Sequence, residues 1–237
     1  MLGRFLEISL ATPEILRSWE FYQGLGFTSA SVGEIWPYRY AAVSDGRLAL
    51  GLHSAKVEEP LLCFVRPELA RHLPALADAG VDFTREIVGD EEFNEAEFIA
   101  PDQQVVRLLE ARTFSPPIRP ASSALGWFEE YMLPVADLAG ASAYWERIGF
   151  VTAAEGEDPW PHLALTSDTL NLGLYRTSGL ARPTLRFGID DLGRFDAHLE
   201  SLGLKPERRL PAGIDPATHR MIVAPEGTRL LIGPSPD

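Results

Sequence analysis

The sequence is poor in cysteine, in basic side chains and in long apolar runs. A single cysteine, Cys63, excludes an internal disulfide and any cysteine-built metal site. It lies in the apolar run Leu61-Leu62-Cys63-Phe64-Val65 and reads as a small buried hydrophobe. Against 34 Asp and Glu there are only 21 Lys and Arg, a formal charge of −13. The deficit is shared: residues 1–119 hold 11 basic and 18 acidic side chains, and the rest hold 10 and 16. Neither half supplies the basic face that nucleic acid or an anionic membrane requires, so neither is expected as a partner. No stretch reaches the roughly 18 apolar residues of a spanning helix. Met1 to Glu7 shows no basic n-region followed by an apolar one, and the expected compartment is the cytoplasm. A Gly-rich phosphate loop, a Gly-x-Ser-x-Gly elbow and a His-Glu-x-x-His helix are all missing.

What is present is repetition. The 237 residues are 46% hydrophobic and 10% aromatic, enough for two cored domains of about 120 residues each. Laid on itself, the chain places Phe21-Tyr22-Gln23-Gly24-Leu25-Gly26-Phe27 on Tyr144-Trp145-Glu146-Arg147-Ile148-Gly149-Phe150. Trp36-Pro37 meets Trp160-Pro161, Leu50-Gly51-Leu52-His53 meets Leu172-Gly173-Leu174-Tyr175, Gly80 meets Gly203, and Ala100-Pro101 meets Ala224-Pro225. The offset drifts only between 122 and 124, the mark of an internal duplication with small loop indels. The expected organisation is a first module at 1–114, a Pro/Ser-rich linker at 115–124 and a second module at 125–237.

Each module opens with strand periodicity. Leu6, Ile8 and Leu10 alternate with Phe5, Glu7 and Ser9, and Tyr131, Leu133 and Val135 repeat the pattern. A helix start follows, Thr12-Pro13 in one copy and Asp137 in the other, then apolar residues at helical spacing as far as Gly24. Strand-like stretches come next, then a second helix and a last strand after each Ala-Pro. This order predicts α+β architecture: two tandem modules, each of two strand–helix–three-strand (βαβββ) units, with curved mixed sheets enclosing a groove.

The run Tyr131-Met132-Leu133-Pro134-Val135-Ala136-Asp137-Leu138 through Phe150, with Phe187-Gly188-Ile189-Asp190-Asp191-Leu192 and Ala224-Pro225-Glu226-Gly227, resembles the vicinal oxygen chelate superfamily. Glyoxalase I, extradiol dioxygenases and the fosfomycin and bleomycin resistance proteins belong to it. The resemblance implies a groove whose enzymatic members hold a divalent metal with side chains from the first, a middle and the last strand. Carried onto this chain, the first slot falls at Glu7 and Glu130 and the middle slot near Pro60 and Thr184. The last slot falls at Arg107 and Leu231, or at Leu109. Proline, leucine and guanidinium do not ligate divalent ions and threonine rarely does, so no metal and no cofactor is expected.

Arg107 and Arg229 share strand parity with the last slot, which predicts ion pairs Glu7–Arg107 and Glu130–Arg229 in place of the metal, structural or as a ligand anchor. His53, opposite Tyr175 in the repeat, and His162, aligned with Tyr38, are candidates for an acid, a base or a displaced metal ligand. His72, His198 and His219 read as solvated. Trp36 and Trp160, with Phe5, Trp127, Phe128 and Met132, are candidates for core packing or for an aromatic wall around a planar or cationic ligand. The acidic run from Asp90 to Glu97 reads as a solvated loop. Three readings of function follow. The first is a metal-independent binder of a small, partly aromatic or cationic molecule, acting as a monomer or weak homodimer. The second is a lyase, isomerase or dioxygenase with a displaced metal set drawn from Glu7 or Glu130 and His53 or His162. The third is a scaffold whose grooves are filled.

Overall fold

The computed structural model describes residues 1–30, 39–55, 60–111, 123–167 and 170–235. Trp36, Tyr38 and most of the expected linker lie outside these residues.

The first half begins with β1 (Arg4–Ala11), α1 (Ile15–Gly24), β2 (Thr28–Ala30), β3 (Tyr40–Ser44) and β4 (Ala49–His53). A second unit follows: β5 (Leu61–Arg66), α2 (Leu69–Asp78), β6 (Phe83–Ile87), β7 (Glu95–Ile99) and β8 (Val105–Glu110). The second half repeats the order with β9 (Trp127–Pro134), α3 (Leu138–Arg147), β10 (Val151–Gly156), β11 (His162–Thr166) and β12 (Asn171–Tyr175). It closes with β13 (Thr184–Gly188), α4 (Leu192–Ser201), β14 (Arg220–Val223) and β15 (Arg229–Gly233). The expected α+β architecture is the one observed.

Each half forms one mixed sheet, in the orders β2-β3-β4-β1-β5-β8-β7-β6 and β10-β11-β12-β9-β13-β15-β14. In both, the first strand runs parallel to the fourth and antiparallel to the fifth, so the two units join at their opening strands. The crossover that a parallel neighbour requires is supplied by α1 and by α3. Where the first half has β6, the second has a non-strand segment, Leu204 to His219. Pro206, Pro211 and Pro216 withhold ladder donors there.

Helix starts follow the expected signals with one shift. Asp191 caps α4 by accepting from Arg194 N at 2.9 Å, and Asp137 is the N-cap residue of α3. The start of α1 moves two residues past the expected Thr12. Glu14 takes the cap position, while the Thr12 hydroxyl accepts from Glu14 N and pairs with Ser18.

A strand irregularity alters which residues share a face. The β1–β5 register shifts between Phe5 and Glu7, and the β13–β9 register shifts between Arg186 and Phe187. Such a bulge inserts one residue and reverses the alternation beyond it. Phe5 therefore joins Ile8 and Leu10 in the core under the helices, and Leu6 packs on the opposite face with Leu61, Cys63 and Val65. Phe128 likewise turns to the helix side, against Phe187. The simple alternation expected for the opening strand fails at this point, and Phe5 and Phe128 are not groove residues.

The halves are locked together reciprocally. The last turn of the second half docks on α1: Tyr22 and Ser18 each donate to Glu226, both at 2.7 Å. The last turn of the first half docks on the second half's entry to α3, where Ala136 N donates to Asp102 at 3.0 Å. Between them, the buried Tyr131 hydroxyl donates to Gln104 at 2.7 Å. One apolar cluster runs through both halves and includes Tyr22, Leu69, Trp145 and Phe195 from the four helices. His198, expected to be solvated, pairs its Nε2 with the Gly24 carbonyl across the junction at 2.9 Å.

Candidate functional site

The face of each sheet turned away from the helices carries the slots that the sequence singles out. In the first half one register row crosses four strands: Glu7 on β1, Cys63 on β5, Arg107 on β8 and Glu97 on β7. In the second half the row is Glu130, Arg186, Leu231 and Met221. The last slots thus fall at Arg107 and Leu231, as aligned. The middle slots fall at Cys63 and Arg186, two or three residues beyond the positions expected near Pro60 and Thr184.

The expected Glu–Arg pairs are not the pairs formed. Arg107 is taken by Glu97, which accepts from Nη2 at 2.7 Å and from Nε at 3.0 Å. Glu97 sits directly beside Arg107 on the neighbouring strand, whereas Glu7 is two strands away. Burial opposes the Arg107 charge, but the hydrogen bonds and charge of Glu97 outweigh it, and the guanidinium pKa is raised. In the second half Glu130 has a guanidinium neighbour, but it is Arg186, at 3.7 Å. Arg186 also pairs with Glu129 at 3.0 Å. Arg229 lies two register positions away, opposite Thr184 and Val223.

Glu7 is 1% exposed and its carboxylate is held by Ser9, His53 and Tyr40. Ser9 donates to Oε1 at 2.8 Å, His53 Nε2 lies 3.2 Å from the same oxygen, and the Tyr40 hydroxyl donates to Oε2. Glu130 is built the same way around Tyr175, whose hydroxyl donates to Oε1. Burial, and then the Glu130 charge, push the Tyr175 phenol far above its ordinary range, so it is a fixed donor. Space for each carboxylate comes from a glycine on the adjoining strand. A Cβ on Gly51 would lie 2.0 Å from Glu7 Oε1, and one on Gly173 would lie 2.2 Å from Glu130 Oε2.

The tyrosine and histidine have changed places between the halves. Tyr40 on β3 faces His53 on β4, and His162 on β11 faces Tyr175 on β12. His162 is thus the structural counterpart of Tyr40 rather than of Tyr38. In both copies the two rings touch, with centroids 4.7 and 4.9 Å apart, and in both the tyrosine hydroxyl reaches the glutamate. His53 also touches its glutamate. His162 instead pairs Nδ1 with the Trp160 carbonyl at 2.9 Å.

The two faces differ in what covers them. Over the second, Trp160, Leu180, Leu210 and Ile214 pack on Met132, Tyr175, Met221 and Leu231. Trp160 Nε1 donates to the Ala212 carbonyl at 2.9 Å, pinning the segment that replaces a strand. Trp160 and Met132 are therefore packing residues of this cluster, whereas Trp127 is 49% exposed with the Arg47 guanidinium over its ring. On the first face the residues from Asp90 to Glu97, read from sequence as a loop, end in strand β7. Glu95 and Glu97 point to one side and pair with Arg85 and Arg107, while Ala96 and Phe98 point into the core.

Sequence reasoning missed Ser9, Tyr40, Arg186 and the role of Gly51 and Gly173. The glycines were legible as a signal, since a glycine recurring inside a strand marks a close approach. Arg186 was hidden because strand counting put the middle slot near Thr184, two residues short of the row that holds Glu130.

A divalent ion, as the superfamily resemblance implies, does not fit these rows. Arg107 stands in the last slot of one half, and Arg186 and Leu231 fill two slots of the other. Cys63 is fully buried, and burial followed by the Glu7 charge pushes its thiol up, away from the thiolate a metal needs. Among the described residues no group of three His, Cys, Asp or Glu is placed to hold a metal ion. Among them, too, no helix is long and apolar enough to cross a membrane.

No family model matches the sequence, and no curated protein matches it either. Solved structures do match the fold. A homoprotocatechuate 2,3-dioxygenase variant from Brevibacterium fuscum aligns over 100% of this chain and 72% of its own, with a TM-score of 0.68 at 14% identity. The homoprotocatechuate 2,3-dioxygenase of Arthrobacter globiformis aligns over 99% of this chain and 80% of its own, with a TM-score of 0.67 at 13% identity. At that identity the likeness concerns architecture, and chemistry has to be argued from the site. Along its whole length, the chain has the fold of these extradiol dioxygenases.

Proposed function

We propose that the chain binds a small, partly aromatic or cationic molecule without a divalent ion, on the Glu7 face of the first half. One observation carries this reading. Glu7 occupies the slot where the superfamily resemblance expects a metal ligand, yet Ser9, Tyr40 and His53 hold its carboxylate and a guanidinium stands in the last slot. A carboxylate set in an apolar wall attracts an ammonium or amidinium. The net charge of −13 favours the approach of cations over anions. The second half serves as a structural partner, its corresponding face packed by Trp160, Leu180, Leu210 and Ile214. The chain acts as a monomer or weak homodimer, with no nucleic-acid or membrane partner.

The test is a thermal-shift titration with benzamidine and tryptamine, after metal analysis of the untagged protein by inductively coupled plasma mass spectrometry. The expected result is a saturable rise in Tm with at least one probe, unchanged after dialysis against EDTA and abolished in Glu7→Gln but not in Glu130→Gln. Near-stoichiometric iron, manganese, nickel or zinc that leaves together with probe binding would overturn the reading in favour of a metal-dependent enzyme. No saturable shift with either probe would remove the ligand class.

A further inference from the structure

Each half has a cavity at the same place, where the first strand begins, the fifth ends and the second helix starts. In the second half it measures about 520 Å³ and includes Trp127, Ile189 and Phe195 in its wall. In the first half it measures about 380 Å³, and the three repeat-related positions are Arg4, Arg66 and His72. The scaffold therefore does not demand cations at these three positions, since the duplicate fills them with apolar side chains, while Asp190, Asp191, Arg194 and His198 line other parts of its hollow. Three basic or titratable groups on one cavity also run against the acidic balance of the half that holds them.

Arg66 is the centre of the group. Its Nη1 donates to the Met1 carbonyl and its Nη2 to His72 Nδ1 at 3.0 Å. A guanidinium only donates, so His72 Nδ1 must accept, which places the imidazole proton on Nε2. Of the donors left, Arg66 Nε is buried without a partner. A buried unsatisfied donor is costly, and on a charged group more so. Two carboxylates stand nearby and both are occupied: Glu68, which lines the cavity, accepts from Arg71 at 2.6 Å, and Glu110 accepts from Leu69 N and Asn94. Val65, Pro67 and Ala111 supply apolar wall.

We propose that this cavity is an oxyanion site, taking the carboxylate or phosphate of a small acid, with Arg66 Nε as the buried donor, Arg4 adding positive charge and His72 Nε2 as a further hydrogen-bond donor. The volume leaves room for a compact apolar body beside the anionic group. The site lies apart from Glu7 and takes the opposite charge, so its failure leaves the reading of the Glu7 face standing.

The test is calorimetric titration of the full chain with sodium phosphate and with sodium benzoate, each against sodium chloride at matched ionic strength. Saturable binding of phosphate alone assigns a phosphoryl ligand. Binding of benzoate alone assigns a carboxylate with an apolar body, and either result supports the site. Arg66→Lys keeps the charge but loses the fork, and should weaken binding at least about tenfold while the urea midpoint stays close to that of the parent. Arg66→Met should abolish it. No saturation by either anion beyond chloride, or equal binding by both variants, would overturn the proposal.

Discussion

At the scale of single residues, the glycines opposite the two glutamates decide whether the carboxylates fit. Any side chain at Gly51 meets Glu7 within bonding distance, so Gly51→Ala must displace the carboxylate from Ser9, Tyr40 and His53 or force the strands apart. Overpacking of this kind costs about 1–3 kcal/mol. The prediction is specific to its cause: in a Glu7→Ala background most of that cost should vanish, because the atoms that clash are gone. Urea unfolding of the two single variants and the double variant checks it, and an equal penalty in both backgrounds would show that Gly51 is needed for some other reason. Gly51 and Gly173 were visible in the sequence as landmarks of the duplication. Their purpose was not, because a strand glycine does not say which side chain approaches it.

At the scale of elements, the transposed tyrosine and histidine show that a cross-strand pair is a unit. Tyr40 on β3 with His53 on β4, and His162 on β11 with Tyr175 on β12, are two solutions to one demand: a phenol donor for a buried glutamate with a ring packed beside it. The double variant Tyr40→His with His53→Tyr is therefore expected to lie within about 2 kcal/mol of the parent, and each single variant below the double. His53→Tyr crowds two phenols against Glu7, and Tyr40→His leaves Oε2 without its donor. Denaturant midpoints of the four proteins measure the coupling, and strict additivity would mean that each half has its own requirement. The element order and the helices were legible from periodicity and turn residues. The bulges in β1 and β9 were not, because an inserted residue leaves no mark in an alternating run, and they moved Phe5 and Phe128 off the groove face.

At the scale of the whole molecule, buried tyrosines tie the halves to one another and to their sheets. Burial, followed by the Glu226 charge, raises the Tyr22 pKa well above its ordinary value of 10.0. Burial likewise raises Tyr131, against the lowering effect of Gln104, and Tyr175 beside Glu130 shifts the same way. A folded-state pKa raised above the unfolded one contributes stability that is complete below pH 10 and lost as the pH climbs beyond it, since only the unfolded chain then releases the protons. With three such groups the slope reaches up to about 4 kcal/mol per pH unit. Urea midpoints at pH 8, 9.5 and 10.5 should stay level and then fall steeply, and Tyr131→Phe should reduce the slope. A flat profile through pH 10.5 would mean that these phenols ionise as readily in the folded state. Because Glu226 and Asp102 bridge the halves in both directions and one apolar cluster runs through both, unfolding is expected as a single calorimetric transition.

The sequence alone determined the duplication, the α+β order of each half and the presence of a carboxylate in each first-strand slot. These rest on local periodicity and on residues compared with their own repeat, both of which are written in one dimension. Only the tertiary structure decided which groups meet those carboxylates. Arg107 chose Glu97 over Glu7 because strand order put Glu97 beside it, and Arg186 rather than Arg229 reached Glu130 because β13 lies between β9 and β15 and sets Arg186 opposite Glu130. Charge pairing falls off with distance across a sheet, and neither strand order nor register can be counted along the chain.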